Sequence, residues 1–372
     1  MEEQVDTLVI GAGPAGLAVA ACLKKRGASC MIVDRASEVG SSWRHHYDRL
    51  HLHSDRDRST LPYLSFPAGT PRYPSREQVI DYLELYARNF ELAPHFNEEV
   101  RTVRPRDPGW TVTTTAGVYH SRRVVVATGC NAVPYVPRWR GQERFRGRIL
   151  HSSEYRSGES FQGHSVLVVG FGNSGGEIAV DLHEHGARVA MAVRGPVNII
   201  PREVFGVPVL AISIVLSHLP ARLADALAAP LVRLIIGDIT KLGFRKLSIG
   251  PFTQIKTRAQ IPLIDIETVK LVREGHIQVL GGIREMSETE ITFDDGYSRV
   301  FDAIVEATGF RPGSDFFLEP QSDGPGGETK SGLHYCGFVV SPTGMLRQIG
   351  IEAQRLQTKS HAPSTTPCPG VC

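Results

Sequence analysis

What this sequence lacks narrows its reading first. None of its six cysteines (22, 30, 130, 336, 368 and 372) sits in a Cys-x-x-Cys pair. That excludes the common dithiol redox motif, and the thiols read as reduced residues of a cytoplasmic protein rather than a disulfide framework. An excess of either charge is also missing: 41 Lys+Arg stand against 39 Asp+Glu, a formal charge of +2. Nothing in that balance calls for a nucleic-acid partner. The chain begins MEEQ and runs straight into an apolar strand, without the basic region and cleavage site of a signal peptide. His45, His46, His51 and His53 are adjacent or alternate, with no Cys or Glu at metal-ligand spacing, so no metal is expected.

No long apolar run is intact either. Residues 204–220 carry no Asp, Glu, Lys or Arg, and residues 221–237 carry only Arg222, Asp225 and Arg233, but Pro208, Pro220 and Pro230 interrupt the stretch. A bilayer-spanning helix needs about 20 apolar residues. The segment 204–237 therefore reads as buried or pocket-lining helices, with weak membrane contact as the alternative and no stable transmembrane span.

What is present is a duplicated unit. Residues 5–10 (VDTLVI) read as a buried parallel strand. They lead into Gly11-Ala-Gly13-Pro14-Ala15-Gly16, a helix ending at Gly27, and a second strand that stops at Asp34. Gly11, Gly13, Gly16 and Gly27 recur 159 residues later as Gly170, Gly172, Gly175 and Gly186, after the strand 165–169 (SVLVV) and around Asn173 and Ser174. A lone GxGxxG is weak evidence. Two copies, each with strand before and helix after, are specific for dinucleotide binding. The first glycine permits the tight turn, the second lets backbone approach a pyrophosphate, and the third lets helix pack on strand. The helix N-terminus then offers unpaired N–H groups and a positive dipole end to the phosphates.

The residue closing the second strand separates the two ligands. In the first copy it is Asp34, suited to accept from a ribose 2′-hydroxyl. In the second copy Val193 takes that place and Arg194 follows. A carboxylate there would repel a 2′-phosphate, whereas a guanidinium binds one. The first copy suits FAD and the second suits NADPH over NADH. Arg194 also admits the plainer reading of a solvated strand-end charge.

The strands 124–129 (VVVATG) and 303–309 (AIVEATG) end alike. They suggest an α/β protein of two Rossmann-like dinucleotide-binding domains, the NADPH domain inserted into a discontinuous FAD domain. The expected bounds are 1–160 with 301–358 for FAD and 161–300 for NADPH, the latter carrying the apolar helical segment 204–237. The Pro/Ser/Thr-rich tail 359–372 is expected to be disordered.

These motifs resemble the two-domain flavoproteins. Among them, Phe145-Arg-Gly147-Arg-Ile-Leu-His151-Ser-Ser-Glu-Tyr155 is similar to the FxGxxxHxxx(Y/F) signature of class B flavin monooxygenases. Baeyer–Villiger enzymes usually end that signature in Trp, where this chain has Tyr155. The segments 47–53 (YDRLHLH), 73–83 (YPSREQVIDYL), 94–97 (PHFN), 200–203 (IPRE), 236–238 (IGD) and 301–304 (FDAI) resemble the YUCCA branch, the indole-3-pyruvate monooxygenases. The likeness runs from about residue 5 to 357. It departs at 55–58 (DRDR), where a more apolar segment is expected near the flavin, and at Phe310, where Tyr is usual.

The resemblance implies that NADPH reduces FAD, that the reduced flavin takes up O2, and that a flavin C4a-(hydro)peroxide attacks a small-molecule substrate. The cofactor then carries the chemistry and the protein positions it and excludes water. No catalytic acid–base pair or nucleophile is assigned. Trp43 matches a family position near the FAD pyrophosphate, or is a core tryptophan. Arg35 is a candidate beside Asp34 on the adenosine side, or a surface arginine. For the carboxylate of an aryl 2-oxo acid the candidates are Arg49, Arg56 and Arg58. The rival readings are N- or S-oxygenation, Baeyer–Villiger oxidation and a non-enzymatic flavoprotein sensor.

Overall fold

A computed structural model describes residues 2–265, 267–314, 317–318 and 332–358. The chain is an α/β protein with mixed sheets, and it divides into two compact units. One comprises Met1–Arg44, Asp55–Val133 and Phe310–Cys372; the other comprises His45–Ser54 and Pro134–Gly309. The tail expectation for 359–372 falls outside the described residues.

In the first unit the strand Glu2–Ile10 is central and parallel to both Met31–Val33 and Val118–Val126. Its inner residues Leu8, Val9 and Ile10 are all buried, as a parallel strand covered on both faces requires. Val118–Val126 changes neighbours along its length. Its first half pairs antiparallel with Trp110–Thr114, and its second half pairs parallel with Leu333–Tyr335. The late-chain strand and the helix Met345–Thr358 therefore complete the fold begun at residue 2. That helix packs on Pro14–Lys25, where Ala15, Ala18, Ala20, Ala21 and Cys22 are buried; small side chains let two helices and a sheet approach closely. Ser75 starts the helix Arg76–Asn89 with a capping box, its hydroxyl taking the Gln78 amide while Gln78 returns to the Ser75 amide.

The second unit has a parallel five-stranded sheet in the order Ile277–Leu280, Arg188–Ala192, Ser165–Val169, Ala303–Glu306, Arg148–His151. One face carries Val166, Val168, Val189, Met191 and Val305 against the helix Asn173–Glu184 and its neighbours. The other carries Leu167, Ala190 and Ile304 against Met286, Ile291 and Phe293 of a three-stranded antiparallel meander. The alternation of side chains along each strand supplies both faces with apolar groups.

The reading of 204–237 as buried or pocket-lining helices needs correction. The helices exist, Val209–Leu216 and Ala221–Ile236, but only Val204, Leu210, Ala224 and Ile236 of the segment are buried. Leu223, Leu227, Leu231 and Leu234 recur at helical spacing on the exposed side. The segment is apolar on more than the stripe that the core can use.

Candidate nucleotide sites

The two glycine turns have the same backbone. Gly11 and Gly170 both sit at φ +111, and a Cβ would fall 2.7 Å from Ala127 O at one and 2.4 Å from Ala307 O at the other. A Cβ on Gly16 would lie 1.8 Å from Gly11 O, and one on Gly175 would lie 2.5 Å from Gly170 O. Those positions accept only glycine. Gly13 and Gly172 differ, since a Cβ there would meet nothing within 4 Å. Both are the N-cap residues of their helices, in extended conformation and without a side-chain cap. Each helix thus presents uncapped N–H groups beside open space at a residue with no side chain, which fits a pyrophosphate.

In the first unit Asp34 is tied to the turn. Its Oδ2 accepts from the Ala12 amide at 2.5 Å and its Oδ1 from the Ala36 amide at 2.8 Å. The carboxylate is fixed in place and retains lone pairs for hydroxyl donors. A cavity of about 400 Å³ opens here, lined by Gly11, Asp34, Arg35, Glu98, Thr128 and Phe317, a size suited to a small ligand or part of a larger one. The Thr128 hydroxyl is buried and has no hydrogen-bond partner among the described residues. Arg35 is exposed at the rim. Trp43 is half-buried on the short helix Ser41–Arg44 rather than in the core. Its preceding Gly40 donates to Ala12 O, which brings that helix to the glycine turn.

In the second unit Asn173 and Ser174 are not free at the helix start. Asn173 Oδ1 accepts from the Ile264 amide at 2.8 Å. Ser174 bonds to the Tyr47 hydroxyl, which also meets Glu177. Arg194 is exposed just past the strand Arg188–Ala192. Sequence reasoning missed its companion: Arg245, exposed, donates from its guanidinium to Arg194 O. Two guanidinium-bearing residues therefore meet at this strand end. No sequence signal marks Arg245, because 51 residues separate the pair.

The signature 145–155 is a set of fastenings. Phe145 is buried in the meander-side core, and a Cβ on Gly147 would come within 2.5 Å of Asp302 O. His151 Nδ1 accepts from the Ser153 amide at 3.1 Å, and its Nε2–H donates to Gly309 O at 3.0 Å. Burial lowers the imidazole pKa, which keeps the ring neutral. Tyr155 is fully buried and donates to Asp181 Oδ2 at 2.5 Å. The signature thus clips the Ala-Thr-Gly strand end at one residue and the nucleotide helix at another.

Two buried acids also escaped sequence reasoning. Glu306, on the strand Ala303–Glu306, is 1% exposed, and its Oε1 has no hydrogen-bond partner among the described residues. Burial, aided by Glu154, pushes its pKa up to about 7. Glu177, also buried, lies with Oε1 2.8 Å from His53 Nε2.

The three arginines considered for a substrate carboxylate are all engaged. Arg49 pairs with Glu184 and, at 3.5 Å, with Glu267. Arg56 meets Asp57 at 3.2 Å and donates to Thr70 O. Arg58 pairs with the buried Asp55 at 2.9 Å. Among the described residues Cys22, Cys30, Cys130 and Cys336 form no disulfide, and burial pushes the Cys22 and Cys30 thiols up to about 11. Among the described residues no three His, Cys, Asp or Glu side chains converge as a metal site.

Comparison with known proteins follows this geometry. The profile of the pyridine nucleotide-disulphide oxidoreductase family matches residues 8–202. The probable indole-3-pyruvate monooxygenase YUCCA1 of Arabidopsis thaliana is 38% identical over 89% of this chain and 84% of its own length. The indole-3-pyruvate monooxygenase YUCCA1 of Oryza sativa subsp. japonica is 40% identical over 85% of this chain and 79% of its own length. Among solved structures, the flavin-containing monooxygenase from Stenotrophomonas maltophilia superposes with a TM-score of 0.71 over 95% of this chain and 97% of that one, at 22% identity; that likeness concerns the fold.

Proposed function

This chain belongs to the family of the YUCCA indole-3-pyruvate monooxygenases, and from that membership we propose that it is an NADPH- and O2-dependent FAD enzyme that decarboxylates an aryl 2-oxo acid, such as indole-3-pyruvate, to the arylacetic acid. It is a flavin monooxygenase that uses a nicotinamide cofactor. The assignment of FAD to the first unit and NADPH to the second is the finer reading.

One observation carries it. Two uncapped glycine turns of matching geometry end in opposite charges, Asp34 in the first unit and the Arg194–Arg245 pair in the second. A fixed carboxylate accepts from ribose hydroxyls and repels a 2′-phosphate, while a guanidinium at that strand end binds that phosphate. In this reading Gly11, Gly13, Pro14, Ala15 and Gly16 shape the FAD turn. Arg35, Trp43 and Thr128 stand at its edges. Gly170, Gly172, Asn173, Ser174 and Gly175 shape the NADPH turn.

Bound in these turns, FAD supplies the redox and oxygen chemistry. The chain's own contribution is positional. Tyr155 and His151 lock the nucleotide helix and the strand end in register, and the neutral imidazole adds no charge there. A 2-oxo acid carboxylate would bind Arg49, Arg56 or Arg58 only by exchange with that residue's present partner. Arg49 and Arg56, whose acid partners are exposed, give up less than Arg58, whose partner Asp55 is buried.

Purified protein should retain FAD, oxidise NADPH faster than NADH, and release CO2 from indole-3-pyruvate and phenylpyruvate. Oxygenation of an amine or thioether with no CO2 from either 2-oxo acid would replace the decarboxylation reading with N- or S-oxygenation.

A further inference from the structure

Of the twelve exposed large hydrophobic side chains among the described residues, eight lie between Phe205 and Leu234. Phe205 is 77% exposed, Leu234 71% and Val215 69%. On helix Ala221–Ile236 the exposed leucines 223, 227, 231 and 234 form one stripe, with the buried Ile236 on the opposite side. A contiguous apolar surface of this kind marks an interaction site.

The hairpin that precedes this helix in the chain points the same way. Glu203–Val204 and Val207–Pro208 pair antiparallel, so Phe205 and Gly206 are the two turn residues, at φ 50 and 78. A turn with both central residues at positive φ favours Asn-Gly. Here an aromatic occupies the disfavoured position and stands out at the hairpin tip.

Charge decides the occupant. From Val204 to Arg258 the chain has seven Lys or Arg and two acids, and all seven cations are exposed. Both acids are occupied internally. Asp225 accepts from the Phe252 and Thr253 amides at 2.8 and 3.0 Å, and Asp238 from the Thr240 amide at 3.0 Å. A second copy docked on this face by two-fold symmetry would set Arg222 and Arg233 against a face of the same sign. An anionic surface is complementary to them. None of the described helices is long and apolar enough to cross a membrane, so the contact lies in the interface plane.

We propose that the Phe205 hairpin and the outer face of helix Ala221–Ile236 dock on an anionic lipid surface, apolar side chains entering the headgroup boundary and Arg222 and Arg233 meeting the headgroups. This rests on exposure and charge and stands apart from the assignment of substrate.

The test is flotation of the FAD-loaded full chain with phosphatidylcholine vesicles and with phosphatidylcholine–phosphatidylserine vesicles. The protein should float with the anionic vesicles, more weakly with the neutral ones, and roughly tenfold less at high salt. The combined variant Phe205→Ser, Leu227→Ser, Leu234→Ser should stop floating while keeping its FAD and its NADPH oxidation. Arg222→Glu with Arg233→Glu should lose the preference for anionic vesicles. As a measurement independent of those variants, Phe205→Trp should shift its emission to the blue, more with anionic vesicles than with neutral ones. The proposal is overturned if the wild type floats with neither vesicle, or if the triple variant floats unchanged. It is overturned too if that variant instead abolishes a dimer seen by sedimentation in protein that binds no vesicle.

Discussion

The Tyr155 hydroxyl donates to Asp181 Oδ2 at 2.5 Å inside the second unit, and the Gly158 amide donates to the same oxygen at 2.8 Å. One carboxylate on the nucleotide helix therefore anchors the end of the family signature. Tyr155→Phe removes the stronger donor and leaves a buried acid under-satisfied. It should lower stability by about 1–3 kcal/mol, read as a lower midpoint in urea with an unchanged slope. Bound FAD should be unchanged at room temperature. An unaltered midpoint would show that Asp181 is satisfied without Tyr155.

Glycines of one turn should separate by role. Gly16→Ala drives a methyl to 1.8 Å from Gly11 O, so the variant should be destabilised even without nucleotide. Gly13→Ala meets nothing within 4 Å and should melt like wild type when stripped of FAD. It should nonetheless retain far less FAD on gel filtration, because only the pyrophosphate contests that space. Equal FAD retention in wild type and Gly13→Ala would remove the pyrophosphate from this turn.

Arg194→Ala and Arg245→Ala should each raise KM for NADPH roughly tenfold or more, the scale of a lost charge-assisted hydrogen bond. KM for NADH should stay within error, since NADH has no 2′-phosphate. Steady-state kinetics with both coenzymes reads this directly. Equal effects on the two would move the phosphate elsewhere.

Glu306 makes stability depend on pH. Its folded pKa is raised to about 7 from an ordinary 4.5, so the native state holds a proton that the unfolded chain has lost between those values. Stability should be complete below about pH 4.5 as far as this group is concerned. It should then fall as pH rises toward 7, by on the order of 3 kcal/mol in all. Glu306→Gln should flatten that slope and melt higher than wild type at pH 8. Parallel pH profiles for the two proteins would mean that the carboxyl is already ionised in the fold.

The glycine turns were legible in the sequence because backbone geometry dictates them: Gly11 and Gly170 reach the same φ against equivalent carbonyls, Ala127 O and Ala307 O, of the two Ala-Thr-Gly strand ends. The strand-end residues Asp34 and Arg194 were legible for the same reason, their place being fixed by local spacing. Arg245 was not, since only tertiary packing brings it to Arg194 O. The signature could be recognised, yet the separate fastening roles of His151 and Tyr155 depend on Gly309 and Asp181, which are distant in the chain. In residues 204–237 the composition showed apolar helices but not which face met the core. Leu223 and Ala224 are adjacent in sequence and opposite in exposure.

The most direct test of the account supplies indole-3-pyruvate, NADPH and ¹⁸O2 to the FAD-loaded protein and follows both products by mass spectrometry. The account predicts indole-3-acetate carrying one ¹⁸O, one CO2 released per NADPH consumed, and water taking the second oxygen atom. NADPH consumed with unlabelled acid, or with hydrogen peroxide as the sole oxygen product, would contradict it.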